Sequence, residues 1–309
     1  MSTETTTFSG IVPPIVTPLT LEGEVDTTSL ERLLSLQIEA GVDGLFVLGS
    51  SGEVGYLTDA QRAQVVQTAI GHVGGQVPVL VGVNDMTTNR VIAVAEQARE
   101  AGADAIVATA PFYAITDAAE TATHFRSIHA AVDLPLFAYD VPVRVHSKLS
   151  PAMLVELGRE GVIAGVKDSS GDDVSFRMLL RQSAGLENFA VFTGHEVVVD
   201  GCLLMGASGA VPGLANVDPH GYVRLWRAAQ AGDWAAAKAE QDRLTDLFSI
   251  VEAPTPGRVS AGAAGLGAFK TALALRGVIT GNTMCAPMLS LDESETATIK
   301  VVLEQAGLL

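Results

Sequence analysis

One lysine in this chain sits where its chemistry asks for an explanation. Lys167 closes the apolar run Gly161-Val-Ile-Ala-Gly-Val166 and is followed by Asp168-Ser-Ser-Gly-Asp172. Lysine is almost never fully buried unless paired, and an apolar run of this length reads most simply as a core strand. Burial disfavours the charged form of an amine, and a neutral amine attacks carbonyl carbon to give a Schiff base. A lysine at a strand end can equally reach solvent, so this segment alone leaves both readings open. Further reactive or polar groups occur in Gly49-Ser-Ser-Gly-Glu53, Ala110-Pro-Phe-Tyr113, Tyr139-Asp-Val-Pro-Val-Arg144 and Thr193-Gly-His-Glu196. Their types suit the same chemistry. A carbinolamine must lose water, so proton donors are needed close by, and tyrosine hydroxyls can serve when a hydroxyl chain links them. The N–H groups and hydroxyls of a Gly-rich turn can seat a carboxylate without a full positive charge. A protonated imine is then an electron sink for making or breaking a carbon–carbon bond, or for losing a β-hydroxyl.

The elements that must position these residues alternate along the chain. Strand candidates are Gly10–Val16, Gly44–Leu48, Pro78–Val83, Ala105–Ala108, Leu136–Tyr139, Ile163–Lys167, Ala190–Thr193 and Gly209–Val211. Helical segments lie between them, including Thr27–Ala40, Thr58–His72, Thr87–Ala101, Ala118–Ala131, Ser150–Gly158, Val174–Ser183 and Glu196–Met205. Repeated strand–helix units imply a parallel sheet, and eight in alternation favour an α/β fold of the closed (β/α)8 TIM-barrel type. In such a barrel every motif named above falls at the C-terminal rim, where chemistry sits. Any one of them has an ordinary explanation as a strand cap or turn; all of them at one rim by chance is a much rarer event. Beyond Val217 the pattern is helical, with candidates Val217–Ala231, Trp234–Val251, Ala264–Leu275 and Leu291–Ala306. Residues 1–216 therefore read as the barrel strands with most of their helices. Residues 217–309 read as the last barrel helix and a C-terminal helical extension.

Composition removes several classes of function. The formal net charge of −16 over 309 residues repels nucleic acid and anionic membranes, so neither is expected as a partner. Apolar residues make up 48%, ample for a core. The two cysteines, Cys202 and Cys285, have no zinc spacing and form no disulfide framework. The N-terminal segment lacks a signal-peptide pattern, and no apolar run spans a membrane, so a cytoplasmic, reducing location is expected. His124 and His129 share a helix candidate but are not one turn apart, so no metal site is expected. Gly265-Leu-Gly-Ala-Phe follows no strand and lacks the full glycine spacing, so no dinucleotide cofactor is expected either. The remaining lysines, Lys148, Lys238, Lys270 and Lys300, lie in polar or helical contexts and are expected to be mostly solvated surface groups.

Taken with Gly10-Ile-Val-Pro-Pro-Ile-Val-Thr-Pro18 and Gly41-Val-Asp-Gly44, these motifs give the chain a family resemblance. It resembles the dihydrodipicolinate synthase / N-acetylneuraminate lyase family of class I aldolases over nearly all of residues 8–305. The resemblance implies an imine between Lys167 and pyruvate or a similar 2-oxo acid, with Tyr139 shuttling protons. It implies that Ser50 links Tyr139 to Tyr113, and that Tyr113 crosses from a neighbouring subunit, so the active unit is a homodimer or homotetramer. Ser51 would hold the substrate carboxylate, Arg144 would grip an acidic aldehyde, and Gly194 and Val211 would line the substrate space.

Three segments depart from the synthase pattern. Gly262-Ala-Ala-Gly-Leu-Gly-Ala-Phe-Lys270 lacks the prolines of the Asn-Pro-x-Pro-x-Lys segment, and Val145-His-Ser-Lys148 replaces a small turn. Met86, Arg90 and Phe112 stand where lysine-regulated synthases carry polar, acidic and tyrosine residues, so inhibition by free lysine is not expected. The departures leave a second reading open, a catabolic aldolase or dehydratase of 2-keto-3-deoxy sugar acids or hydroxy-oxo acids. His146 and His195 near the rim suit a polyhydroxy substrate, although either can be an ordinary loop histidine. A third reading is a catalytically silent binder of 2-oxo acids, which would have no use for a proton relay.

Overall fold

The computed structural model describes residues 8–309. Eight parallel strands follow one another: β1 Gly10–Ile11, β2 Leu45–Val47, β3 Val79–Gly82, β4 Ala105–Thr109, β5 Leu136–Asp140, β6 Gly165–Asp168, β7 Ala190–Thr193 and β8 Gly209–Ala210. Each pairs with the next from β2 to β8, and β8 pairs with β1. A parallel bridge between Pro14 and Phe46 closes the ring. The architecture is the (β/α)8 barrel expected from the alternation, and its strands are buried along their whole length.

The first strand is shorter than the expected Gly10–Val16, and proline explains why. Pro13 and Pro14 have no N–H, so an ordinary ladder cannot continue through them. Only the groups that remain are used at this seam. The Phe46 N–H donates to the Pro13 carbonyl at 3.0 Å, and the Ile15 N–H donates to the Phe46 carbonyl at 2.8 Å.

Helices α1 Thr27–Ala40, α2 Asp59–Val73, α3 Thr88–Ala101 and α4 Ala118–Ala131 follow the first four strands. Their boundaries come from residues legible in the chain. Asp26 caps α1, Thr58 and Gln61 form a capping box on α2, and Asp117 and Glu120 form one on α4. Gly41 and Gly102 end α1 and α3 in the left-handed conformation. A single-turn helix, α5 Pro142–Val145, was not apparent from periodicity. Beyond it lie α6 Pro151–Arg159, α7 Asp173–Gln182 and α8 Val199–Leu204. Helix α8 starts later than the expected Glu196 because Glu196 is engaged elsewhere: its carbonyl accepts from Tyr222 Oη and Gln241 Nε2, both at 3.0 Å.

The chain continues with α9 Pro219–Gln230, α10 Trp234–Phe248, α11 Ala261–Leu275 and α12 Glu293–Gln305. Helix α11 is apolar on every face apart from Lys270 and Thr271, and Leu266–Leu273 are all buried, the mark of a helix enclosed all round. It lies over the C-terminal mouth of the barrel, where it forms one wall of the cavity described next.

Candidate active site

Strands β5 and β6 end side by side, in a register that sets Tyr139 opposite Lys167 and Asp140 opposite Asp168. Alternation then sends Tyr139 and Lys167 to one face and the two aspartates to the other. Lys167 is 6% exposed. Its Nζ lies 4.3 Å from the centroid of the Tyr139 ring and 4.9 Å from that of Phe46. It makes no salt bridge among the described residues, so aromatic faces rather than a carboxylate surround the amine.

Tyr139 is buried, and its hydroxyl lies 3.4 Å from Ser50 Oγ. Burial pushes the phenol up, but the Lys167 ammonium and hydrogen bonds with Ser50, Ser169 and Lys167 outweigh it, leaving the phenol below its usual value. Ser50 and Ser51 lie in the tight turn after β2, stabilised by N–H bonds from Gly52 to Gly49 and from Glu53 to Ser50. Among the described residues no backbone carbonyl takes the N–H of Ser50 or Ser51. Two free donors therefore stand beside two hydroxyls, a suitable seat for a carboxylate.

A cavity of about 300 Å³ brings these groups together. Lys167, Tyr139, Ser50, Ser51, Arg144, Gly194 and Val211 all line it, and α11 closes it with Gly262, Gly265, Leu266 and Phe269. Glycine is required at Gly194, where a Cβ would collide with the Ser169 hydroxyl and crowd the Asp168 carbonyl, whereas a Cβ on Gly262 would displace the Arg144 guanidinium, 2.8 Å away. A second cavity of about 410 Å³ adjoins the first and shares Ser50, Val141, Val143, Arg144 and Leu266 with it.

Tyr113 is not part of this assembly within its own chain. It lies in the loop after β4, 91% exposed and with φ 71°, and lines neither cavity. His195 lines the first cavity, with Nδ1 3.9 Å from Asp173, whereas His146 does not.

The cavity also contains a residue that had been given no role. The Glu196 Oε1 accepts the Gly213 N–H at 2.9 Å. Burial raises the carboxyl above its usual value, opposed by that bond and by the neighbouring Lys167 and His195 side chains. Its position two residues after Gly194 was the available signal.

Lys270 corrects the expectation of a solvated surface group. It is fully buried in α11, ion-paired with Glu53, and donates to the Thr283 carbonyl at 2.8 Å. The other Glu53 oxygen accepts the Cys285 N–H at 2.8 Å. Burial pulls the Lys270 amine below its usual value, and Glu53 pulls it back. The signal for this pair was Lys270 itself, the one charged residue in the 15 of α11.

No group of three or more His, Cys, Asp or Glu side chains able to hold a metal occurs among the described residues. No helix there is long and apolar enough to cross a membrane.

Residues 7–306 match the sequence profile of the dihydrodipicolinate synthetase family. The chain belongs to that family. A DapA-like lyase from Halobacterium salinarum is 34% identical, over 97% of this chain and 94% of that protein. A 4-hydroxy-tetrahydrodipicolinate synthase from Desulfotalea psychrophila is 31% identical, over 98% of each chain. The crystal structure of Escherichia coli YagE in complex with pyruvate superposes with a TM-score of 0.91 at 31% identity, covering 98% of this chain and 100% of that one. YagE is provisionally named a 2-dehydro-3-deoxy-D-gluconate aldolase. The family is one of lyases and aldolases, and its members differ in specific activity.

Proposed function

We propose that the protein is a class I, Schiff-base lyase acting on pyruvate or a related 2-oxo acid, synthase-like in joining it to an acidic aldehyde. The observation that carries this reading is Lys167: buried, free of any carboxylate partner among the described residues, beside a phenol, and open to a cavity with a carboxylate seat. Lys167 Nζ attacks the ketone carbon, a C–N bond forms, and the oxygen takes a proton from Tyr139, whose phenolate recovers one from the nitrogen. Tyr139 then protonates the hydroxyl, which leaves as water as the nitrogen lone pair forms the protonated imine. Removal of a proton from the adjacent carbon gives an enamine, whose carbon attacks the aldehyde carbonyl as that oxygen is protonated. Water then releases the product and restores the amine. Ser50 relays protons, Ser51 and the turn hold the carboxylate, and Arg144 meets the anionic end of the aldehyde. Gly194 and Val211 keep the substrate space open. No metal or organic cofactor is required by these steps.

The relay needs a second proton outlet, and Tyr113 supplies it to a neighbouring subunit in this reading. Its exposure and left-handed backbone, with exposed Ile115 two residues on, support a homodimer. A homotetramer built from two such dimers is the larger assembly in this reading. The two free, buried cysteines fit a reducing cytoplasm.

A second reading has its own support. The Glu196 carboxyl in the cavity suits a hydroxylated substrate end, and YagE carries the sugar-acid aldolase name. The test is a steady-state screen of pyruvate with acidic aldehydes against 2-keto-3-deoxy sugar acids. Turnover limited to the aldehydes supports the synthase-like reading. Cleavage or dehydration of the sugar acids alone replaces it with the catabolic one, and turnover of neither sinks both.

A further inference from the structure

Asp140 and Asp168 lie opposite each other on β5 and β6, each immediately after a residue placed in the reaction. Both are buried, at 0% and 5% exposed. They hold the backbone of the rim. Asp140 Oδ1 accepts the Leu149 N–H at 3.1 Å, and its carbonyl accepts the Ser169 N–H at 2.8 Å. Asp168 Oδ1 accepts the Ser170 N–H at 2.8 Å, and its carbonyl accepts the Gly194 N–H at 2.7 Å. The same two residues thus fix Ser169, which lines the cavity with Tyr139, and Gly194, which clears room for Ser169.

Two buried carboxylates so placed repel each other, and burial is itself costly for each charge. Burial pushes the Asp140 carboxyl above its usual value, Lys148 and the Leu149 N–H pull it down, and Asp168 adds to the rise. One cation answers both. Lys148 bonds Asp140 Oδ2, lies 3.9 Å from Asp168 Oδ2, and donates to the Leu149 carbonyl at 3.2 Å. It reaches them from the segment after α5, on the face opposite to the cavity, and does not line the cavity.

We infer that Lys148 is a positioning residue: by bridging Asp140 and Asp168 from behind, it keeps the ends of β5 and β6 in the register that sets Tyr139 against Lys167. Removing it leaves two unanswered carboxylates where the strands end, and they separate or take up water. Tyr139 and Lys167 move with them. The carboxylate seat at Ser50 and Ser51 belongs to another strand end and is untouched. The inference rests on the proposed reaction for its kinetic consequence but not for its structural one.

The test compares wild type with Lys148→Met, Lys148→Arg and the double variant Lys148→Met with Asp140→Asn. Lys148→Met is expected to lower kcat about 100-fold, the scale of an ångström-sized misplacement, with KM for pyruvate changed less than about threefold. Arginine should restore most of the rate, and Asp140→Asn should restore part of it by removing one of the two charges. A crystal structure of Lys148→Met should show the amine displaced from its 4.3 Å approach to the Tyr139 ring. Unchanged geometry in that structure overturns the inference whatever the activity. So does a KM that moves with kcat and is rescued by neither arginine nor Asp140→Asn. If Lys148→Met does not fold, the arginine and double variants decide: both must fold and turn over, and failure of both refutes the charge-bridging role. Wild type that traps no 2-oxo acid, with the tyrosine displaced in Lys148→Met, refutes the proposed reaction and leaves this inference standing.

Discussion

Two lysines of this protein are buried, and their surroundings differ in the way that decides reactivity. Lys167 faces the barrel mouth among aromatic rings, with a cavity in front of it and no carboxylate partner among the described residues. Lys270 lies within α11, closed off completely and paired with Glu53. A closed, ion-paired site admits no substrate, whereas an amine that faces a cavity can be reached by one. Lys270 instead ties the mouth-covering helix to the Gly49–Glu53 turn, so it supports the site that Lys167 occupies. Burial alone therefore does not mark a nucleophile; access and the missing counter-charge do.

The largest separation between the two should appear on replacement by methionine. Lys167→Met removes the nucleophile, and turnover should fall by about 10⁴-fold or more while the melting temperature changes little. Lys270→Met leaves the Glu53 carboxylate buried without its partner, and urea unfolding should show a loss of about 3–5 kcal/mol. Adding Glu53→Gln to that variant should recover much of the stability. Equal activity losses in the two single variants, with no difference in stability, would break the comparison.

The role proposed for Tyr113 extends the contrast across subunits. Tyr113→Phe should lower turnover by about 100-fold, and mixing that variant with inactive Lys167→Met should restore activity through hybrid sites. Subunit exchange that leaves the mixture inactive would place the relay within one chain.

His124 shows what burial does to a base with only neutral partners. Its Nδ1 lies 2.9 Å from Thr88 Oγ1 and its Nε2 3.2 Å from the Thr109 carbonyl. Burial lowers it to about 4, opposed by the Thr109 bond. An unfolded histidine takes up a proton below its usual value of 6.5, while the folded one resists until about 4. Between those values unfolding binds a proton, so stability is full above 6.5 and falls with pH toward 4, by on the order of 3 kcal/mol. His124→Gln should flatten that part of the stability profile measured by urea titration, and an unchanged slope would assign it to another group.

The smallest effect expected is none. Free lysine at millimolar concentration should leave turnover unchanged, because Arg90 and Met86 replace the groups that would receive it. Arg90 is already committed, its Nε 2.7 Å from Asp85 Oδ1. Dose-dependent inhibition would contradict this.

The barrel and the neighbourhood of Lys167 were readable because both depend on local pattern. Strand–helix alternation, caps such as Thr58 and Asp117, and a lysine closing an apolar strand are features of short segments. The truncation of β1 was missed: the expected strand Gly10–Val16 runs through Pro13 and Pro14, whose missing N–H groups break the ladder beyond Ile11. The Lys270–Glu53 pair was half legible: a lone charge in an apolar helix announces a need, but its partner lies on a distant turn that only the fold brings near. The same holds for Lys148 and for Glu196, whose partners come from other strands and loops. Tyr113 shows the opposite case: exposed and lining neither cavity, it has no partner in the site of its own chain, and its proposed role in a neighbouring chain leaves no trace within this one.

The most direct test is borohydride reduction in the presence of pyruvate, read by intact mass and by peptide mapping. One reduced adduct per chain, on Lys167 and with Lys270 unmodified, is the predicted result. An adduct on Lys270, or a folded protein left unmodified by pyruvate and by longer 2-oxo acids, would contradict the account.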